Sequence, residues 1–264
     1  MKYLRAQFER RVRLKSQSFE LVTPRAYMSI DYDHYLTAHL THIAPPATLQ
    51  RNALVVLKHH GKYLPPDKNA AILEIGPGYG ALIDCLRTRC GYRDVSAVDV
   101  SSEVVAACNK IAPGSTTLAE DTAAFLRERR EEFDLVLMLH VLEHVPKENV
   151  TPLLEAIRHA LRKNGRLVVE VPNVLHPVTG PYHRYHDFTH TVGFTDQSLA
   201  FVLRNSGFQN VTIYGCRTPR TNPARLVQRT AQDALEFFLG LALGLYLPRL
   251  PVSLATALGA CAVK

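Results

Sequence analysis

The chemically most suggestive stretch is LEIGPGYG, in which Glu74 precedes Gly76, Gly78 and Gly80. Glycines at that spacing let a backbone turn approach a ligand closely, because no β-carbon stands in the way. The order is G-x-G-x-G, and Ala81 stands where a dinucleotide fingerprint would carry its third glycine. Glu74 offers charge-assisted hydrogen bonds to an ammonium group, or caps the turn. Asp99, with Val100 beside it, follows the glycines by about 20 residues, the distance at which an acid accepts from both hydroxyls of a ribose. Asp121, in AEDTAAF, is placed to orient an adenine amino group or to cap the helix that Thr122 helps to start. Each acid has a structural alternative, but three acids at successive strand ends beside one glycine turn favour a shared ligand.

A second set of residues can move protons. His140 and His144 flank Glu143 in HVLEHV, and a later loop holds His176, His183, His186 and His190. Histidine suits general base work near neutral pH. On a helix beginning at His140, positions 140, 143 and 144 share one face. The same spacing with a distant histidine raises a divalent metal site as an open alternative. Solvated or structurally bonded histidines are the competing reading for the loop.

These residues need a scaffold that brings strand ends together. From residue 70, apolar runs (AAILEI, VSAVDV, STTLAE, FDLVLML, RLVVEVP) alternate with helical stretches opening at Ala81, Ser102, Asp121 and Lys147. Continuous apolar strands joined by crossover helices predict a doubly wound α/β sheet covered on both faces. Ahead of it, residues 1–68 read as a helical lead-in whose clearest helix runs from Pro45-Pro46 to Pro65. Residues 69–264 form the main domain. Within it, 173–195 read as a His- and Pro-rich loop, followed by a helix from Asp196 to Asn205 and a strand near VTIYG. An apolar helix, Ala231 to Leu247, lies in an insertion at 217–249, ahead of a last strand.

Composition is that of an ordinary globular chain: 264 residues, 47% hydrophobic and 21% charged. Five scattered cysteines without a C-x-x-C pair, and an opening without a signal-peptide pattern, predict buried thiols in a reduced, cytoplasmic setting. The net charge of +7 is uneven, with six basic residues in the first fifteen against Glu9 alone. Arg217, Arg220, Arg225 and Arg229 form a second basic stretch before the apolar helix. Such flanks suit an anionic membrane surface as much as a polynucleotide. FFLGLALGLYL is too short to span a bilayer; it suits an interface, a buried position or a homodimer.

Taken in order and spacing, LEIGPGYG, VSAVDVS, AEDTAAF, FDLVLMLHVLEHV and LRKNGRLVVEVPN resemble the class I S-adenosylmethionine-dependent methyltransferases over residues 70 to 215. The resemblance implies a seven-stranded Rossmann-like sheet with an antiparallel last strand, and S-adenosylmethionine as cofactor. It implies that Glu74 to Gly80 line the methionine part, Asp99 and Val100 the ribose, and Asp121 with Thr122 the adenine, with Leu139 and His140 facing the reactive methyl. His140, His144 and His190 are then the candidate bases. Small-RNA 2′-O-methyltransferases look similar around HVLEHV, but His140 replaces their first acid, which weakens the metal reading. Residues 172–208 and the segment YDHYLTAHL resemble bacterial methyltransferases of surface-polysaccharide assembly. That likeness implies O-methylation of a sugar in a glycan or its lipid-linked precursor, at the inner face of the membrane. A quinone or other small-molecule acceptor, an RNA acceptor and a non-catalytic adaptor remain as alternatives; the lack of Trp and of an aromatic-basic strand motif disfavours nucleic acid.

Overall fold

The computed structural model describes residues 36–37, 49–220 and 222–264. The basic arm at 1–15, all of YDHYLTAHL except Leu36 and Thr37, and the expected helix start at Pro45-Pro46 lie outside them. Seven strands form one sheet in the order β3-β2-β1-β4-β5-β7-β6. They are β1 (Ile72–Ile75), β2 (Val95–Asp99), β3 (Thr116–Leu118), β4 (Phe133–Leu139), β5 (Leu161–Pro172), β6 (Gln209–Cys216) and β7 (Ala257–Val263). The first five run parallel, and β7 pairs antiparallel with both β5 and β6. This is the expected Rossmann-like sheet.

Ile72, Leu73, Leu135, Val136, Val168 and Val169 are fully buried at or near the centre of the sheet, because helices cover both faces and each strand must be apolar on both sides. The helices are α1 (Leu49–His60), α2 (Ala81–Thr88), α3 (Ser102–Ile111), α4 (Thr122–Arg127) and α5 (Lys147–Ala160). Then come α6 (Gly180–Tyr185), α7 (Asp196–Asn205) and α8 (Pro223–Leu243). In α5, Val150, Leu153, Leu154 and Ile157 fall on one stripe and bury against the sheet. Ser101 caps α3 by accepting from the Val104 amide, and a Thr195–Ser198 capping box opens α7.

Three sequence expectations need correction. His140 starts no helix: it leaves β4 with φ 55°, and residues 142–144 form a single 3₁₀ turn, so positions 140, 143 and 144 do not share a helical face. The 173–195 segment is not all loop, for it contains α6. The apolar helix begins at Pro223 rather than Ala231, because Asn222 accepts from the Arg225 amide as its cap and Pro223 supplies a first-turn proline. All five cysteines are free, with Cys85, Cys108, Cys216 and Cys261 buried.

Candidate functional site

Parallel register brings the carboxyl ends of β1, β2 and β3 side by side: Ile75 lies opposite Val98, and Asp99 opposite Leu118. The chain turns at this edge through Gly76 and Gly80. Gly76 has φ 71°, and a β-carbon there would run into the Val141 side chain. Gly80, with φ 76°, caps α2 and would place a β-carbon 3.1 Å from the Cys108 sulfur. At Gly76 both the left-handed backbone and the space require glycine, and at Gly80 the backbone does.

Glu74 is 4% exposed, and its Oε2 has no hydrogen-bond partner among the described residues. Burial, reinforced by the nearby Asp99 charge, pushes its carboxyl up to about 8. Burial likewise raises Asp99 to about 6, against hydrogen bonds from the Ser101 and Val100 amides. Two acids in a desolvated corner, one with an orphaned oxygen, are suited to a ligand that brings positive charge and hydroxyl donors. Asp121 behaves differently. It is exposed, and its Oδ1 accepts from the Ala124 amide at 2.9 Å as the cap of α4. Val100, just past β2, Thr122, at the start of α4, and Leu139, at the end of β4, are half-buried.

A cavity of about 970 Å³ opens beyond the end of β4. Its floor and walls include His140, Glu143, His144, Glu170, His183 and His190, and α1 contributes one side through Leu54, Leu57 and His59. Glu74, Asp99 and Asp121 are not among its lining residues, so the expected single shared cavity is not this one.

Two networks order the cavity. In the first, the His140 ring lies between carboxylates, Nδ1 at 3.3 Å from Glu143 Oε1 and Nε2 at 3.2 Å from Glu170 Oε1. Burial opposes a charge on this ring, but the two carboxylates outweigh it and raise the imidazole to about 10. About half of the ring remains open to solvent. With both nitrogens donating, His140 is a cation held in place. Glu170 extends the network to His60 at 2.5 Å, and His60 Nδ1 lies 2.7 Å from the Tyr214 hydroxyl. Burial resists the Glu170 charge, yet hydrogen bonds from His140, His59 and His60 hold it well below the usual carboxylate range.

In the second network, the Thr189 hydroxyl donates to Asp187 Oδ1 at 2.6 Å and lies 2.6 Å from His144 Nδ1. Since the hydroxyl proton goes to Asp187, Nδ1 of His144 donates to Thr189 and the basic lone pair is on Nε2. Burial lowers the His144 value below 6.5, with Glu143 pulling the other way, so the ring is neutral at pH 7. His190 packs edge-on against His144 at 4.6 Å, and its Nδ1 donates to the His183 carbonyl at 2.6 Å.

Glu143, His144 and His190 bring ligand atoms within 4.8 Å of one another, as do His59, His60, Glu170 and Cys216. Either group has donors suited to a divalent ion. Sequence reasoning missed Glu170, His59, His60, Tyr214 and Thr189 as network members. Only Glu170 carried a signal, as a lone acid in an apolar strand run.

Residues 48–213 match the family described as a methyltransferase domain. Among curated proteins none matches the chain. Among solved structures, a SAM-dependent methyltransferase from Archaeoglobus fulgidus has a TM-score of 0.57 at 19% identity, covering 80% of this chain and 94% of that one. One from Thermotoga maritima has 0.59 at 16%, covering 88% and 98%. Phosphoethanolamine N-methyltransferase 2 of Haemonchus contortus, in complex with S-adenosyl-L-methionine, has 0.61 at 19%, covering 92% of this chain and 61% of that one. At these identities the likeness is one of fold.

Proposed function

Because the chain belongs to the methyltransferase-domain family matched over residues 48–213, we propose that it transfers a methyl group from S-adenosylmethionine to a sugar hydroxyl of a bacterial surface glycan or its lipid-linked precursor. The observation that carries this reading is the neutral His144, held by Thr189 and Asp187, in the wall of a large cavity beyond the end of β4.

The residues present suit the cofactor. Glu74 and Asp99 would hold its ammonium and ribose ends, and the Gly76–Gly80 turn would admit its backbone-facing part; Asp121 and Thr122 lie at the next strand end for the adenine. When bound, the cofactor supplies a sulfonium methyl that is already activated, which leaves the protein to position the acceptor and remove a proton. His144 accepts the hydroxyl proton at Nε2 as the acceptor oxygen becomes the nucleophile. Asp187, acting through Thr189, fixes the tautomer and steadies the imidazolium that forms. His140, whose nitrogens are both engaged by carboxylates, positions Glu143 and Glu170 instead of acting as base. His190 supports the His144 ring, so the three candidate histidines divide into one base and two positioning groups. Imidazole and carboxylate groups in the cavity can hydrogen-bond a hydroxyl-bearing acceptor, while Leu54, Val55, Leu57 and Pro219 give the same cavity an apolar side that suits the lipid part of a lipid-linked precursor or a quinone.

Mass spectrometry of polysaccharide and lipid extracts from cells with and without the gene tests this reading. The expected result is a glycan species heavier by one methylene only where the gene is present. A methylene difference confined to quinones or RNA would replace the acceptor.

A further inference from the structure

Helix α8 is built with its polarity reversed. Its charged residues Arg229, Asp233 and Glu236, spaced i, i+4 and i+7, point toward the body of the protein, where Arg229 is 6% exposed. There Arg217 pairs with Asp233 at 3.0 Å and with Glu236 at 2.7 Å, and Arg229 also pairs with Asp233. The outward side is apolar: Val227 near its start, then Phe237 (62% exposed), Phe238 (66%) and Leu241, and the chain just past the helix adds Leu245 (82%) and Tyr246 (83%). A surface helix ordinarily turns its apolar stripe inward, so an apolar stripe of this length facing out is shaped for a second medium or a partner.

The charges around the stripe decide which. From Arg217 to Arg249 there are five arginines against two carboxylates, and both carboxylates are taken up on the inner side. Arg225 stands at one end of the stripe and Arg249 at the other, whereas Arg220 pairs with Asp233 at 2.9 Å on the inner side. Packing two copies of α8 against each other would set arginine against arginine in parallel, Arg225 against Arg225, and also in antiparallel, Arg225 against Arg249. An anionic headgroup layer meets the same ends with opposite charge. No helix among the described residues is long and apolar enough to cross a membrane, which leaves the in-plane arrangement.

We infer that α8, with the turn after it, is an in-plane anchor that lays Phe237, Phe238, Leu241 and Tyr246 into the surface of an anionic bilayer. Arg217 and Arg225, at the start of this segment, also line the cavity, so docking brings the cavity mouth to the membrane. That consequence rests on the methyl-transfer reading and specifies its acceptor as lipid-borne; the docking itself does not depend on it.

Flotation of the full chain with vesicles tests the anchor without any substrate. The protein is expected to float with phosphatidylcholine vesicles containing roughly 30% phosphatidylglycerol and to stay behind with phosphatidylcholine alone. F237E/F238E is expected to lower the bound fraction by about tenfold or more. Because both rings are exposed, its thermal midpoint is expected to equal that of the parent chain, and the basic arm at residues 1–15 is unchanged in both proteins. Failure of the parent chain to float with anionic vesicles overturns the inference, as does equal flotation of the variant. Light scattering that shows a dimer, converted to monomer by the same substitutions, would assign the stripe to a second copy.

Discussion

Replacing His144 with alanine removes the group that the cavity geometry singles out as base. Its Nδ1 is committed to Thr189 at 2.6 Å, and Thr189 in turn to Asp187 at 2.6 Å, so the loss should fall on proton removal and not on cofactor binding. A positioned base contributes about 10²–10⁴-fold in rate, equivalent to roughly 3–5 kcal/mol of barrier. The assay is transfer of labelled methyl from S-adenosylmethionine to the glycan extract, with cofactor affinity measured beside it by calorimetry. His144→Ala should lower kcat by that factor with cofactor affinity unchanged, and added imidazole should restore part of the rate. The pH profile gives an independent check. Burial lowers the His144 value below 6.5, and activity needs the neutral ring, so the rate should rise with pH, level off by about pH 7 and stay flat to pH 9. A base with the raised value of His140, about 10, would instead give a rate still climbing at pH 9. A climbing profile, or equal losses of rate and cofactor affinity in His144→Ala, would refute the assignment.

Further outcomes follow from the buried acids and the glycine turn. Glu74 keeps its proton in the ligand-free protein because its value is raised to about 8, so its contribution to stability is full below 4.5 and is lost as pH rises through 8. A cationic ligand drives that proton off; cofactor affinity should therefore increase between about pH 6 and 8, by at most tenfold per unit, and Glu74→Gln should flatten the slope. An identical slope in both proteins would remove Glu74 from the cofactor's ammonium end. Glu170 is the opposite case, with its carboxyl held well below 4.5, so its stabilisation is present above 4.5 and is lost as pH falls through the lower, folded-state value. Glu170→Gln should cost about 3 kcal/mol or more near pH 7 in denaturant melts, with the gap to the parent chain narrowing in acid. Gly76→Ala meets a positive φ of 71° and the Val141 side chain together, and should cost about 1–3 kcal/mol, read as a lower thermal midpoint and weaker cofactor binding.

What could be read from residues alone was whatever depends on local periodicity. β4 and the Leu167–Pro172 part of β5 are buried on both faces, so their runs of Leu, Val and Met needed no tertiary information, and the glycine turn announced itself by the backbone conformation it requires. The misread segments are those where distant partners decide. His140 follows a strand and precedes a Leu-Glu-His turn that has helical spacing, but Glu170, thirty residues away, captures its ring and the backbone turns left-handed. His60 and Tyr214 meet across 154 positions, beyond any spacing rule. Helix α6 is only six residues long, and Gly180 packs closely on the Val174 carbonyl, a contact that composition does not encode. The true start of α8 was legible in Asn222-Pro223, but the more apolar stretch after Ala231 masked it.

The central claim is that the edge formed by Glu74, the glycine turn and Asp99 binds a nucleoside sulfonium. Isothermal titration with S-adenosylmethionine and with S-adenosylhomocysteine, on the full chain and on Asp99→Ala, tests it most directly. One equivalent of each should bind the parent chain, and Asp99→Ala should bind at least about tenfold more weakly, the loss of a charge-assisted hydrogen-bonding group. Absence of heat with either ligand, or equal binding by the variant, would contradict the account.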